Sequence, residues 1–419
     1  MKKQIIILLF FVMLGFRSHS SSILIPMDET QKNHLKSYGI AFWTLERGVE
    51  VKWLLNYRGG SFLIPFVKEI ENECLIRGVA YDVLPDGKVT LLLNEISSPS
   101  QNMDVVPMQK APKIAVYSPP NKQPWDDAVT MVLSYAEIPY DIIYDAEILN
   151  GDLSKYDWLH LHHEDFTGQY GKFYRNYQHM PWYQEEVNTN EDMAKQMGFL
   201  KVSEMKLVVS KTIQSYVANG GFLFAMCAAT DTYDIALASE NTDICESMYD
   251  GDPADAQMND HLDFTRTFAF HNFKIEKDPF KYEFSDIDVT ETRQINMTSD
   301  YFTLFEYSAK WDPVPTMLCQ NHTRVVKGFM GQTTAYNKDL LKPEVLVMGE
   351  NKAGNEARYI HSEYGNGTWT FYGGHDPEDY RHAVGDPPTD LNLYPNSPGY
   401  RLILNNVLFP AAKKKKQKT

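Results

Sequence analysis

The residues of this chain best suited to covalent or acid–base chemistry fall in three short clusters. Cys227 closes the apolar run Phe222-Leu223-Phe224-Ala225-Met226, which Gly220-Gly221 opens and Ala228-Ala229 follow. His162-His163-Glu164-Asp165 follows Trp158 to Leu161, and His375-Asp376-Pro377-Glu378 follows Thr368 to Tyr372 and a Gly pair. A strand that turns sharply into a helix lifts the side chain at the turn above the sheet. Crowding there demands small residues two places before and after, here Ala225 and Ala229. A thiol at such a turn becomes a nucleophile when a base or cation holds it as thiolate and a helix N-terminus follows. His375 is the expected base, and Glu378 or Asp376 the group that orients its imidazole. The backbone N–H of Ala228 is the expected oxyanion donor. His163 is expected at the substrate, and Glu164 is expected to bind a substrate amine or to serve as an alternative acid. Two competing readings stand beside this one. Cys227 is a small buried hydrophobe ending a core strand, or His160 and His162, with His163, Glu164 and His375, form a metal-assisted site for zinc or iron.

The pattern of the chain positions these clusters. His34 to Gly48 and Phe66 to Arg77 read as helices, Val49 to Leu55 and Val79 to Leu84 as strands. From Pro112 the alternation strengthens. Strands are expected at Lys113 to Tyr117, Tyr140 to Tyr144, Trp158 to His162 and Phe222 to Met226. Helices are expected at Trp125 to Tyr135 and Ser203 to Val217, with Ser203 as N-cap and Asn219-Gly220 as stop. Pro124, Asp126 and Asp127 suit the positive end of the first of these two helices. Such alternation implies βαβ units and a parallel sheet covered on both faces. From about 242 to 341 the pattern breaks into short strands, Lys281 to Phe284, Phe302 to Tyr307 and Thr323 to Phe329, read as a β-rich insertion or lid. A hairpin of Glu344 to Met348 with Ala357 to Tyr364, the strand Thr368 to Tyr372 and the helix Tyr400 to Leu408 close the chain. Ligands of open α/β sheets bind beyond the carboxyl ends of the strands, so the three clusters are expected to share one crevice.

Composition narrows the setting. Lys2 and Lys3, the apolar stretch Ile5 to Phe16 and Ser18-His19-Ser20 read as a signal peptide over 1–20, which predicts a periplasmic or secreted protein. Its apolar core is too short to span a bilayer comfortably, so no stable membrane span is expected. Loss of Lys2, Lys3 and Arg17 takes the formal charge from −15 to −18, which argues against nucleic acid as partner. The Lys-rich tail 413–419 reads as a frayed terminus. Cys74, Cys227, Cys245 and Cys319 are too scattered to signal a disulfide framework. The expected division is an N-terminal α/β region over 21–112 and a larger unit over 113–412. No cofactor is expected. The expected partner is a small-molecule or envelope-derived amide or sugar ligand.

The Gly-Gly-led turn at Cys227, His375-Asp376-Pro377-Glu378 and the order Cys, His, Glu resemble the class I glutamine amidotransferase-like superfamily. The stretch from Phe371 to Glu378 and on through Arg401 to Phe409 is similar to its trehalose-utilisation branch. The resemblance covers roughly 113–412 and implies a flavodoxin-like, doubly wound parallel sheet with a Cys–His–Glu triad. It also implies amide hydrolysis or amido transfer, or the same fold as a catalytically idle sugar- or peptide-binding module. The family usually has His-x-Glu, whereas here two residues separate His375 from Glu378. Asn56 to Phe62, Pro124 to Val132 and His162 to Gly171 make the whole chain look like a group of exported Bacteroidetes proteins labelled asparagine synthetase B. The synthetase chemistry itself needs an N-terminal Cys and a Ser-Gly-Gly-x-Asp-Ser loop for ATP, and the sequence has neither.

Overall fold

The computed structural model of the chain describes residues 21–121, 123–293 and 295–412. The expected signal peptide and the Lys-rich tail lie outside them. Two sheets carry the described residues. The first comprises β1 (Ser21–Ile25), β2 (Val51–Leu55), β3 (Ser61–Pro65), β4 (Asp82–Pro85) and β5 (Asp104–Met108), in the order β4-β1-β3-β2-β5. All its pairings are antiparallel. The helix His34–Glu46 packs on it, started by Asn33, whose side chain accepts the Lys36 N–H. Gly39 lets this helix touch the helix Ala128–Ala136, since a Cβ there would lie 1.9 Å from the carbonyl oxygen of Ala136.

The second sheet comprises β6 (Ile114–Tyr117), β7 (Asp141–Ile143), β8 (Trp158–Leu161), β9 (Phe222–Met226), β10 (Tyr301–Leu304), β11 (Val325–Lys327), β12 (Tyr336–Asn337), β13 (Leu346–Asn351), β14 (Glu356–Tyr364) and β15 (Gly367–Tyr372). Its order is β11-β10-β13-β14-β15-β9-β8-β6-β7, with β12 on β14. The run β7-β6-β8-β9-β15 is parallel, and the strands beyond β15 are antiparallel. The architecture is thus mixed α/β around a mixed sheet. Parallel strands need crossovers, which the helices Ala128–Ala136 and Val202–Ala218 supply. Side chains alternate between two cores. Ile114, Val116, Trp158, Phe224 and Met226 face the core shared with His34–Glu46 and the closing helix Pro398–Leu408. Ala115, Leu159, Leu161, Leu223 and Ala225 face the core under Val202–Ala218. Burial on both faces explains why these strands read as apolar runs, broken in β8 only by His160.

Several expectations change. The segment 242–341 is not merely a lid, because β10 and β11 extend the main sheet. Lys281 to Phe284 forms no strand, leaving only an isolated bridge between Ile275 and Ser285. The helix expected from Trp125 begins at Ala128, because Asp127 caps it by accepting the N–H groups of Val129 and Thr130. Ser203 lies inside its helix rather than capping it. The strand expected from Val79 begins at Asp82. The sequence reading also lacks β1, β3, β5 and the helices Asp86–Ser97 and Pro181–Gln196. None of the four cysteines is paired. Among the described residues no helix is long and apolar enough to cross a membrane.

Candidate active site

Cys227 adopts φ +50°, a left-handed conformation uncommon for any residue but Gly. It sits between β9 and the helix Ala229–Ala238, whose N-cap is Ala228. Such strain costs on the order of 1–3 kcal/mol and persists only where the surroundings impose it. Here they do. Thr230 donates both its N–H and its hydroxyl to the Cys227 carbonyl, at 3.2 and 2.7 Å, and the Ala229 N–H donates to the His162 carbonyl at 3.0 Å. Ala225 and Ala229 are fully buried, leaving no room for larger side chains.

The parallel register brings the clusters together. Met226 pairs with Tyr372, and Ala225 with Leu161, so β8, β9 and β15 end side by side. Beyond those ends lies a cavity of about 480 Å³ whose walls include Cys227, His163, His375, Trp125, Tyr282 and Gln332. The His375 ring lies beside the Cys227 thiol, and the Gln332 N–H donates to Cys227 Sγ at 3.2 Å. Burial and the neighbouring His162 ring push the His375 pKa down, but the Asp126 carboxylate and the Cys227 thiol beside the ring outweigh them and leave it raised. On His163, burial and the rings of His162 and His375 outweigh the opposing charge of Asp127 and hold it well below the usual imidazole range.

The expected orienter is corrected. The Glu378 carboxyl lies by Ser397 and is pushed up by burial. Asp376 is fully buried and accepts the hydroxyls of Tyr400 and Thr389 at 2.8 and 2.7 Å. Asp126 stands at His375 instead, with Oδ1 3.6 Å from its Nε2 and 3.1 Å from His382 Nε2. Burial opposes ionisation of Asp126, yet His375 and His382 lower its pKa overall. Glu164 is displaced too. It accepts the His162 N–H at 3.0 Å and borders a separate internal cavity of about 20 Å³ with Glu186, Asn190 and Lys206. Burial pushes its carboxyl up to about 8. His163 and Glu164 are consecutive, and of the two only His163 reaches the large cavity. His160 is spoken for, its Nδ1 3.2 Å from the Phe224 carbonyl oxygen and its Nε2 3.2 Å from Asp127 Oδ2.

Asp126, His382 and Gln332 are residues that sequence reasoning missed at this site. Asp126 carried only a helix-start signal, and Gln332 acts through its backbone, which no side-chain pattern reveals. The loop carrying Gln332 is tied down: Thr333 donates to Asp231 at 2.8 Å, the Gly331 N–H to Thr334 at 2.7 Å, and the Thr334 N–H to Thr290 at 3.2 Å. Thr290 in turn donates its hydroxyl and N–H to Asp288.

Burial pushes the Asp288 carboxyl up to about 7. The native state therefore keeps a proton that the unfolded chain has lost across the range from about 4 to about 7, so this group makes stability fall as pH rises through that window. Asp288→Asn keeps the acceptor oxygen and removes the slope. Urea unfolding at pH 5 and pH 8 is expected to show wild type losing roughly 2–3 kcal/mol more than the variant. Equal losses in both proteins contradict this account of Asp288.

No family model and no curated protein matches the chain. Solved structures of slight likeness include two cytoplasmic proteins of Salmonella typhimurium, each at 12% identity over 72% of this chain and 100% of its own, with TM-scores of 0.35 and 0.36. Another is an exo-beta-1,4-mannosidase from an Opitutaceae bacterium, at 11% identity and TM-score 0.27, over 62% of this chain and 31% of that one. Likeness this slight argues for neither a fold family nor an activity.

Proposed function

We propose that this chain is an exported, class I glutamine amidotransferase-like enzyme that attacks an amide or related acyl carbon through Cys227. One observation carries the reading: Cys227 holds a left-handed turn at a strand–helix junction with the His375 ring at its sulfur. The parallel strands, numbered by position in the chain, lie in the order second, first, third, fourth, fifth, which supports a flavodoxin-like doubly wound reading.

His375 takes the thiol proton as sulfur bonds to the acyl carbon, and the carbonyl oxygen becomes an oxyanion beside the Ala228 N–H. The Gln332 N–H and the N-terminus of Ala229–Ala238 stabilise the sulfur as thiolate. Asp126 holds the imidazole and stabilises its protonated form, replacing the Glu378 of the family pattern. His375 then gives its proton to the departing amine as the C–N bond breaks. Water, deprotonated by His375, attacks the thioester, and the thiol leaves with that proton.

An activated ester tests this without knowledge of the natural substrate. After exposure to p-nitrophenyl acetate, intact-mass measurement is expected to show one acetyl group on wild type, mapped to Cys227, and none on Cys227→Ala. Acetylation spread equally over both proteins would sink the proposal.

A further inference from the structure

Three imidazoles converge where the thiol chemistry uses one. His162, His163 and His375 each offer a ring nitrogen within 4.8 Å of the other two. His162 is fully buried, and His375 is 6% exposed. Yet both ring nitrogens of His162, both of His163 and His375 Nε2 are buried without a hydrogen-bond partner among the described residues. A buried polar atom left unpaired costs about 1–3 kcal/mol, and three such rings side by side have no mutual hydrogen bond to offset it. Asp127 adds an outer partner: its Oδ2 lies 3.2 Å from His162 Nδ1, while Oδ1 stays on the helix cap. A carboxylate beside Nδ1 favours the proton on that nitrogen, which leaves the Nε2 lone pair for an ion.

We propose that His162, His163 and His375 form a binding site for a d-block dication of the zinc class, with its remaining position open to the cavity. Three neutral imidazoles with a carboxylate behind one of them suit Zn²⁺ and its neighbours rather than Mg²⁺ or Ca²⁺, which prefer oxygen ligands. Three protein ligands and an open position are the arrangement of catalytic rather than structural zinc. His160, expected from the sequence as a ligand, turns its Nδ1 to the Phe224 carbonyl and its Nε2 to Asp127, and lies outside the group of His162, His163 and His375. The site goes beyond the thiol reading and shares only His375 with it, so the test uses His162 and His163.

Untagged full-length protein, stripped with chelator, is titrated with Zn²⁺ against a chromophoric chelator. Wild type is expected to take one Zn²⁺ per chain. Asp127→Asn, which keeps a capping side chain, weakens binding about 10- to 100-fold, and His162→Gln and His163→Gln weaken it more. His261→Gln, at an exposed histidine, leaves affinity unchanged. Absence of stoichiometric binding to wild type overturns the proposal, as do folded His162→Gln and His163→Gln proteins with wild-type affinity. Should those variants not fold, the Co²⁺ spectrum of wild type decides: d–d bands without a thiolate charge-transfer band support the three-histidine set, and a thiolate band overturns it. Iodoacetamide alkylation of Cys227 in the metal-free protein separates the two claims. Fast alkylation without metal binding sinks the metal site alone, and metal binding with a sluggish thiol sinks the thiol reading alone.

Discussion

Asp126→Asn is expected to slow acylation of Cys227 by p-nitrophenyl acetate on the order of 10²- to 10⁴-fold, while Glu378→Gln stays within about threefold of wild type. Asp126 Oδ1 lies between the Nε2 atoms of His375 and His382. An asparagine there removes the charge that favours protonated His375 and turns an N–H or an uncharged oxygen toward both rings. Glu378, held near Ser397, has no comparable reach. Because Asp126 acts through His375, its loss should appear in the maximal acylation rate, with half-saturation little changed. A merely structural role would instead lower the melting temperature and leave the rate of folded protein intact. Comparable losses from both variants, or a greater loss from Glu378→Gln, would restore the expected Cys–His–Glu triad.

Gly331→Ala is the second large effect. A Cβ built on Gly331 would lie 2.8 Å from the His375 nitrogen, 2.9 Å from the Gly374 carbonyl carbon and 3.1 Å from Cys227 Sγ. Two of these neighbours are backbone at the end of β15, where the Gly374 N–H is bound to the Thr333 carbonyl. They cannot swing aside as a flexible side chain would. The loop must move instead, carrying the Gln332 N–H off the sulfur and opening the approach of His375. Overpacking of this kind costs typically about 1–3 kcal/mol, and a displacement of about 1 Å at reacting groups costs on the order of 10²-fold in rate. Calorimetry and the acetylation assay should register both losses. An alanine variant with wild-type rate and melting temperature would show that the loop does not seat against the sulfur as described.

How much of this was legible in the sequence follows from what each signal encodes. The strands β6 and β9 announced themselves because burial on both faces leaves unbroken apolar runs, and β8 and β15 did so as largely apolar runs broken by His160 and by Thr368 and Thr370. The polar residues just beyond them then pointed to a shared edge. Short strands among polar loops carry no comparable mark, so β10 and β11 read as a lid although they extend the main sheet. β1 and β3 were missed for a different reason, since each is a five-residue strand in an antiparallel sheet reached through turns. At the site, Cys227 and His375 stood out by type and place. The orienter did not, because the family pattern drew attention to Glu378, two residues beyond Asp376. The group at His375 comes instead from Asp126, some 250 residues earlier in the chain. Nothing local records so distant a contact.

The most direct test of the central claim is the rate at which iodoacetamide alkylates Cys227 at neutral pH, read by peptide mass spectrometry in folded and denatured protein. A thiol held beside His375, the Gln332 N–H and a helix N-terminus should react faster folded than unfolded, by on the order of tenfold or more. His375→Gln should abolish that advantage. A folded Cys227 that reacts no faster than its denatured form would contradict the account and return the residue to the core.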